Sequence, residues 1–466
     1  MKNIKPPLLI IFVLAVISLL NFSLLWAADE TPVAKPLTFK EFYQKVLAYY
    51  PKLKQQDASV NLAIARKLQA VVGFLPRIQG SVSVTHGDDP VFVFGSLLRE
   101  NSFTNDDFAL SRMNTPGAHT TYNASLEGQM PIFDAFQTIS RVKSAKLQID
   151  SARFDASFTK MEAFLVASEA YLRAVAVEKL LVTVNEVSQA SEQDIQQAQD
   201  LKDKGLIFGA DFYTAKVMHG SIIQLKNQLL QEKQAVHILL NILMGQDPLQ
   251  PLEIRGELAE SAQKTEQLQN LFQQAYKSRP DLAAIEKTIQ AQGIDVSREK
   301  FTGLPRIDAF GEAREDTHNF KSNGGQNYTV GVKGQIDLFD PAYSSRLRLS
   351  KETLKKLESD KATLKDAITK DIANEYAHYQ TVQDNLPVNQ KMLEDAKQAV
   401  ELMLPLYREG KKSIADLLEI RTSYLNVAKG YYTLATDTKA SWTRLLFLSG
   451  QLDEPKMKEA VGQIGE

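Results

Sequence analysis

The sequence predicts a mostly α-helical protein with a small transmembrane β part, built as two copies of one unit, each a strand pair followed by a long helical hairpin. Three observations carry this: short phrases that recur in one order, four segments whose polarity alternates residue by residue, and two stretches too long for the helices of an ordinary globule. GFLPRI at Gly73–Ile78 returns as GLPRI at Gly303–Ile307, and PIFDA at Pro131–Ala135 returns as DLFDP at Asp337–Pro341. The turn Asp203-Lys204-Gly205 recurs as Arg408-Glu409-Gly410, and the helix end Leu243-Met244-Gly245 as Leu448-Ser449-Gly450. Chance likeness would not keep this order at a near-constant offset, so the chain is a duplication with an internal pseudo-twofold.

The first residues carry Lys2 and Lys5, then an apolar run Leu8–Leu20 continuing weakly to Trp26, then Ala27, Ala28, Asp29 and Glu30. Basic, apolar and small residues in that order read as a secretory signal peptide, 1–27. An uncleaved anchor also suits the length of the run; on either reading the chain is exported. No later stretch is long and apolar enough to span a bilayer as a helix, so a later crossing must use strands.

The expected organisation continues with an N-terminal linker, 28–37, and repeat 1, 38–245. That repeat holds a helix around Phe39–Val72, strands at ~76–86 and ~120–131, a long helix at ~134–204 and a return helix at ~209–245. A linker, 246–263, carries Pro248 and Pro251. Repeat 2, 264–450, holds a helix around Leu268–Lys300, strands at ~305–314 and ~327–338, a long helix at ~341–408 and a return helix at ~413–449. A polar tail, 451–466, closes the chain.

In the first strand Ile78, Gly80, Val82 and Val84 interleave with Gln79, Ser81, Ser83 and Thr85; in the second, Tyr122, Ala124, Leu126, Gly128 and Met130 interleave with Asn123, Ser125, Glu127 and Gln129. The third sets Ile307, Ala309, Gly311 and Ala313 against Asp308, Phe310, Glu312 and Arg314. The fourth sets Tyr328, Val330, Val332, Gly334 and Ile336 against Asn327, Thr329, Gly331, Lys333 and Gln335. Phe310 is the clear exception on the wet side. Period-two alternation over about ten residues fits a tilted membrane strand. A soluble sheet packed on helices shows the same pattern; the export signal and the wet-face charges favour a polar lumen. Four strands cannot close a barrel, so other chains must supply the rest: two chains give eight strands and a filled interior, three give twelve and room for a conduit. The connections His86–His119 and Glu315–Gln326 are then expected to face outward.

From Asp134 to Lys204 there is no proline or glycine, enough for about 100 Å of continuous helix. Met161, Leu165, Tyr171, Leu172 and Val175 recur at helical spacing. The second copy, Ala342–Arg408, contains Pro387 and Pro405 as expected kinks. The return helices carry a seven-residue beat, Ala215, Ile222, Leu229, Val236 and Leu243 in one copy and Ile420, Val427, Leu434 and Leu448 in the other, with Ser441 interrupting. Such spacing means coiled-coil-like packing.

Composition excludes several classes. With 54 basic and 56 acidic residues the net charge is −2, so no nucleic acid or other polyanion is suggested as a partner. Cysteine is absent, which excludes disulfides, thiolate metal sites and a cysteine nucleophile. His86, His119, His219, His237, His318 and His378 show no metal-ligand spacing, and there is no phosphate-binding glycine loop or nucleophile elbow. No catalytic residue, metal or cofactor is expected. An exported coiled-coil adaptor or adhesin would explain the helices but leaves the four strands without a role.

These residues resemble the TolC-like outer-membrane efflux protein family: the opening Leu37-Thr38-Phe39 with Tyr50-Pro51-Lys52-Leu53, the two Leu-Pro-Arg-Ile strand starts, the Phe-Asp strand ends and the glycine reversals. The resemblance implies a homotrimer whose twelve-stranded β-barrel lies in outer-membrane lipid of a Gram-negative bacterium and continues as a periplasmic α-helical barrel. It also implies a periplasmic adaptor (membrane fusion protein) and an inner-membrane transporter as partners, in an efflux or type I secretion system. The family's gate pattern Tyr-x-x-Gly-x-Arg-x-x-x-Asp-x-x-Asp falls on Tyr407, Lys412, Asp416 and Glu419, with Asp211 at the matching acidic place in the first half. Lysine stands for arginine and lacks its bidentate fork; glutamate stands for the last aspartate. Ser413 and Asp416 also read as a helix-capping pair. Gly205-Leu206 and Gly410-Lys411 are implied to be the hairpin tips that meet the adaptor.

Overall fold

The computed structural model describes residues 36–256, 258, 266–319, 324–452 and 455–457. The expected signal peptide 1–27 lies outside the described residues, as do most of the linker 28–37, part of the linker 246–263 and most of the tail 451–466. Among the described residues no helix is long and apolar enough to cross a membrane.

In chain order the elements are α1 (Phe39–Tyr49), α2 (Pro51–Val72), β1 (Arg77–Gly87), α3 (Pro90–Arg99), α4 (Leu110–Asn114), β2 (His119–Phe133), α5 (Gln137–Asp203) and α6 (Gly209–Met244). The second half gives α7 (Leu268–Ser278), α8 (Pro280–Lys300), β3 (Arg306–Thr317), β4 (Gly325–Gln335), α9 (Tyr343–Arg408) and α10 (Ile414–Leu448). Each single helix expected before a strand pair is in fact two. The breaks fall at Tyr50 and Arg279, each immediately before a proline and held at ψ 116° and 123°, because the proline ring disfavours the α conformation of the residue before it. Inside α9 the opposite holds. Pro387 and Pro405 are both accommodated in one helix of 66 residues.

The four strands form one antiparallel sheet in the order β1-β2-β3-β4. Directly paired residues share a face. The register sets Ile78 opposite Gly128, Val82 opposite Ala124, Leu126 opposite Ala313, and Ala309 and Ala313 opposite Val332 and Tyr328. One face is therefore apolar across the middle of the sheet and largely open in the single chain, with Val82 76%, Val330 74% and Tyr328 81% exposed; Glu315 and Gln326 join it only at the end remote from the long helices. The other face carries Ser81 and Ser125, hydrogen-bonded at 2.7 Å, the pair Arg306–Asp308 and Arg314 bridging Glu312 and Asp316. Phe310 lies on this polar face, as its position demands, and its ring fills the space above Gly331, where a Cβ would approach it to 2.8 Å.

Below the sheet α5, of 67 residues, runs about 100 Å. Its middle packs against a core of Phe39, Phe42, Tyr43, Phe164 and Tyr171. Tyr171 donates its buried hydroxyl to the carbonyl of Leu37 at 2.8 Å and to that of Arg255; with the parallel bridge Leu37–Ile254, this ties the segment entering α1 to the connection between repeats. In the first hairpin all five heptad residues, Ala215, Ile222, Leu229, Val236 and Leu243, are buried. In the second the seam is displaced: Ile414, Leu418, Arg421, Leu425, Ala428 and Ala435 are buried, while Ile420, Val427 and Leu434 are half-buried.

Candidate functional site at the hairpin ends

The far end of each hairpin closes in the same way. Gly205 and Gly410 adopt φ of +74° and +71°, the left-handed region that L side chains tolerate poorly. Leu206 N–H donates to the Leu201 carbonyl at 2.8 Å, and Lys411 N–H to that of Leu406 at 2.9 Å. This is the Schellman closure, which satisfies carbonyls left over at a helix end. It leaves Leu206 and Phe208 67% and 80% exposed. Lys411 pairs with Glu409 at 2.7 Å on the surface.

Just inside the tips the two hairpins are joined by an apolar cluster of Ala198, Phe212, Ala215, Tyr407, Ile414, Leu417 and Leu418. Of the residues placed at the gate by resemblance, the structure brings Tyr407 into this cluster, leaves Lys412 and Glu419 at the surface and half-buries Asp211 and Asp416. Asp416 is the N3 residue of a capping box: Ser413 N–H donates to its carboxylate at 3.0 Å, and its own N–H donates to Ser413 Oγ at 3.1 Å. The Ser413 backbone bond, the Ser413 hydroxyl and nearby Lys412 hold the Asp416 carboxyl below its ordinary range. Lys412 and Glu419 are exposed and make no hydrogen bond or ion pair with another described residue; Asp211 lies half-buried in the first turn of α6.

Sequence reasoning missed a charged pair one layer deeper. Asp194 on α5 and Arg421 on α10 form an ion pair at 2.8 Å, with the two residues 6% and 7% exposed. Burial pushes the Asp194 carboxyl up, against the opposing pull of Arg421 and, more weakly, Arg408. Burial and the Asp194 charge together raise the Tyr407 phenol. The Tyr407 hydroxyl and Arg421 Nε find no hydrogen-bond partner among the described residues. A signal was present in the sequence: Val187, Ser191, Asp194 and Ala198, and Leu417, Arg421, Leu425 and Ala428, are stripes at spacings of three and four, and each places one charge where an apolar residue is due.

Among the described residues no group of three or more potential metal ligands is gathered. Residues 271–451, running from α7 to the end of α10, match the family model described as outer membrane efflux protein. That stretch is similar to outer membrane efflux protein domains.

The chain is 20% identical over 363 residues, 76% of its length and 78% of the relative's, to the outer membrane efflux protein BepC of Brucella suis. Its fold is that of the outer membrane channel CmeC of Campylobacter jejuni (TM-score 0.76, 14% identity, 94% of each chain covered). It is likewise that of the outer membrane protein VceC of Vibrio cholerae (TM-score 0.71, 15% identity, 88% of this chain and 96% of the other). The matched stretch contains Tyr407, Asp416 and Arg421; their counterparts across the hairpin interface, Asp194 and Phe212, come from the first repeat.

Proposed function

We propose that three copies of this chain form a passive conduit through the outer membrane of a Gram-negative bacterium, extending into the periplasm and fed by an inner-membrane transporter through a periplasmic adaptor. The observation that carries this is the sheet: one face apolar and open, the other charged, and both edge strands, β1 and β4, left without a partner. Buried in lipid, each unsatisfied edge group would cost several kcal/mol. Strands of 11 residues are about 36 Å long and, tilted by about 45°, cover roughly the 25 Å apolar band of a membrane barrel. Three copies joined β4 to β1 give twelve strands, no edges, a lipid-facing apolar surface and a polar lumen.

The helical hairpins continue the tube into the periplasm. At their ends Tyr407, Lys412, Asp416, Glu419 and Asp211 form the gate, acting between copies, with the exposed charges of one chain facing those of the next. The tips Gly205-Leu206 and Gly410-Lys411 dock the adaptor; exposed Leu206 and Phe208 support this assignment. The reading is tested by the mass of the detergent-solubilised protein. A complex of three chains, heat-dissociable on gels, is expected; a single subunit would refute the conduit.

A further inference from the structure

The segment between β1 and β2 is longer than a hairpin needs, and it is folded. Asp89 caps α3, accepting from Phe92 N–H at 2.8 Å, and Asn101, at φ +54°, ends it. The side of the sheet on which α3 lies is fixed by five contacts. A Cβ on Gly87 would lie 3.6 Å from the Phe92 ring, and a Cβ on Gly325 would lie 1.7 Å from the Arg99 carbonyl oxygen. Gly87 pairs with His119 and Gly325 with Asp316, so both glycines face the polar side. Glu100, 5% exposed, accepts from Thr121 Oγ1 at 2.8 Å and lies 3.0 Å from His119 Nε2. Asn327 Nδ2 donates to the Arg99 carbonyl at 3.2 Å. Thr121, His119 and Asn327 all belong to the polar face by register.

Ten residues of helix measure about 15 Å, and four strands side by side span about 14 Å. Thus α3 crosses the polar face from β1 to β4 at the end of the sheet remote from the long helices. Its opposite side presents Val91 and Leu98, 80% and 49% exposed. Phe94, Phe103 and Phe108, with ring centroids 5.0 Å apart in succession, hold the rest of the segment against it.

We propose that residues 88–118 are an inward-folded lid at the outer mouth of the conduit, and that α3 of each copy narrows the lumen with an apolar lip of Val91 and Leu98. The inference rests on the polar face being the lumen. A narrow apolar collar resists wetting, so it holds back hydrated solutes arriving from outside while a hairpin-length loop would not. Gly325 is the seat of the lid, because only a residue without a Cβ lets the Arg99 carbonyl settle there.

The chain has no cysteine, so one introduced thiol reports access cleanly. Ser125→Cys, midway along the polar face of β2, is labelled on intact cells with a bulky membrane-impermeant maleimide. Labelling is compared in the otherwise unchanged chain, in a variant lacking residues 90–116, and in Gly325→Leu, which displaces α3 while keeping the segment. Labelling about tenfold faster in both variants is expected for a removed steric and dewetted barrier. Equal rates with and without the lid overturn the proposal, and Gly325→Leu decides the matter if the deletion does not reach the membrane. Val82→Cys, on the apolar face, separates the two readings. If it reacts with the maleimide while Ser125→Cys stays unreactive in every variant, the assignment of faces fails, and the conduit with it.

Discussion

Asp194 and Arg421 bring two charges into a mostly apolar seam, and burial of such a pair is repaid only while both are present. Arg421→Met strands a carboxylate among apolar neighbours and should cost about 3–5 kcal/mol; adding Asp194→Leu should restore most of the loss, since apolar replacement of a whole buried pair is often neutral or better. Apparent melting of the solubilised protein reads both, and a double variant no better than the single would remove the pair from this account. The pH dependence has a definite sign. A carboxyl whose folded-state pKa is raised favours the fold below the ordinary carboxylate range and loses that contribution as pH climbs through its raised value. The double variant should therefore gain on the parent as pH rises above the ordinary carboxylate value of about 4. Asp416, held low by its cap, has the opposite sign: its contribution is present above the ordinary range and lost on acidification.

At the level of elements, what was legible followed from periodicity, and what was not followed from context. Alternation gave the strands and their two faces, including the misfit at Phe310, because a pleated strand offers no third direction. Absence of breakers gave the long helices. Tyr50 and Arg279 went unread as breaks although each precedes a proline, while Pro387 and Pro405 did not end α9; tertiary packing decides which prolines a helix absorbs. The second heptad was misplaced because an arginine occupies its seam and hydrophobicity alone pointed to the neighbouring stripe. Ile222, 1% exposed, should lose roughly 2–5 kcal/mol on change to Ala. Val427, half-buried in the chain, should lose about 1 kcal/mol. Comparable losses at the two positions would show that Ile420, Val427 and Leu434 form a second buried seam in the assembly. The gate positions rest on a motif, not on packing: Lys412 and Glu419 are exposed, so nothing within one chain fixes what they touch.

Across the whole molecule, the proposed trimer would bring three second hairpins together at the proposed gate. Replacing both Asp416 and Glu419 by Ala should remove polar contacts between copies and raise single-channel conductance in planar bilayers; conductance like that of the parent would take these two residues out of the gate. The same arrangement also bears on how the protein is made. A newly exported chain must travel through water with two long strands whose backbone donors and acceptors have nothing to hold, and with a greasy panel uncovered beside them. Any similar ribbon is a template for mispairing, so in the proposed trimer the hazard falls on the interval before three copies meet. The yield of correct rings should depend on how quickly neighbours arrive and on escorts that mask the bare margins in transit.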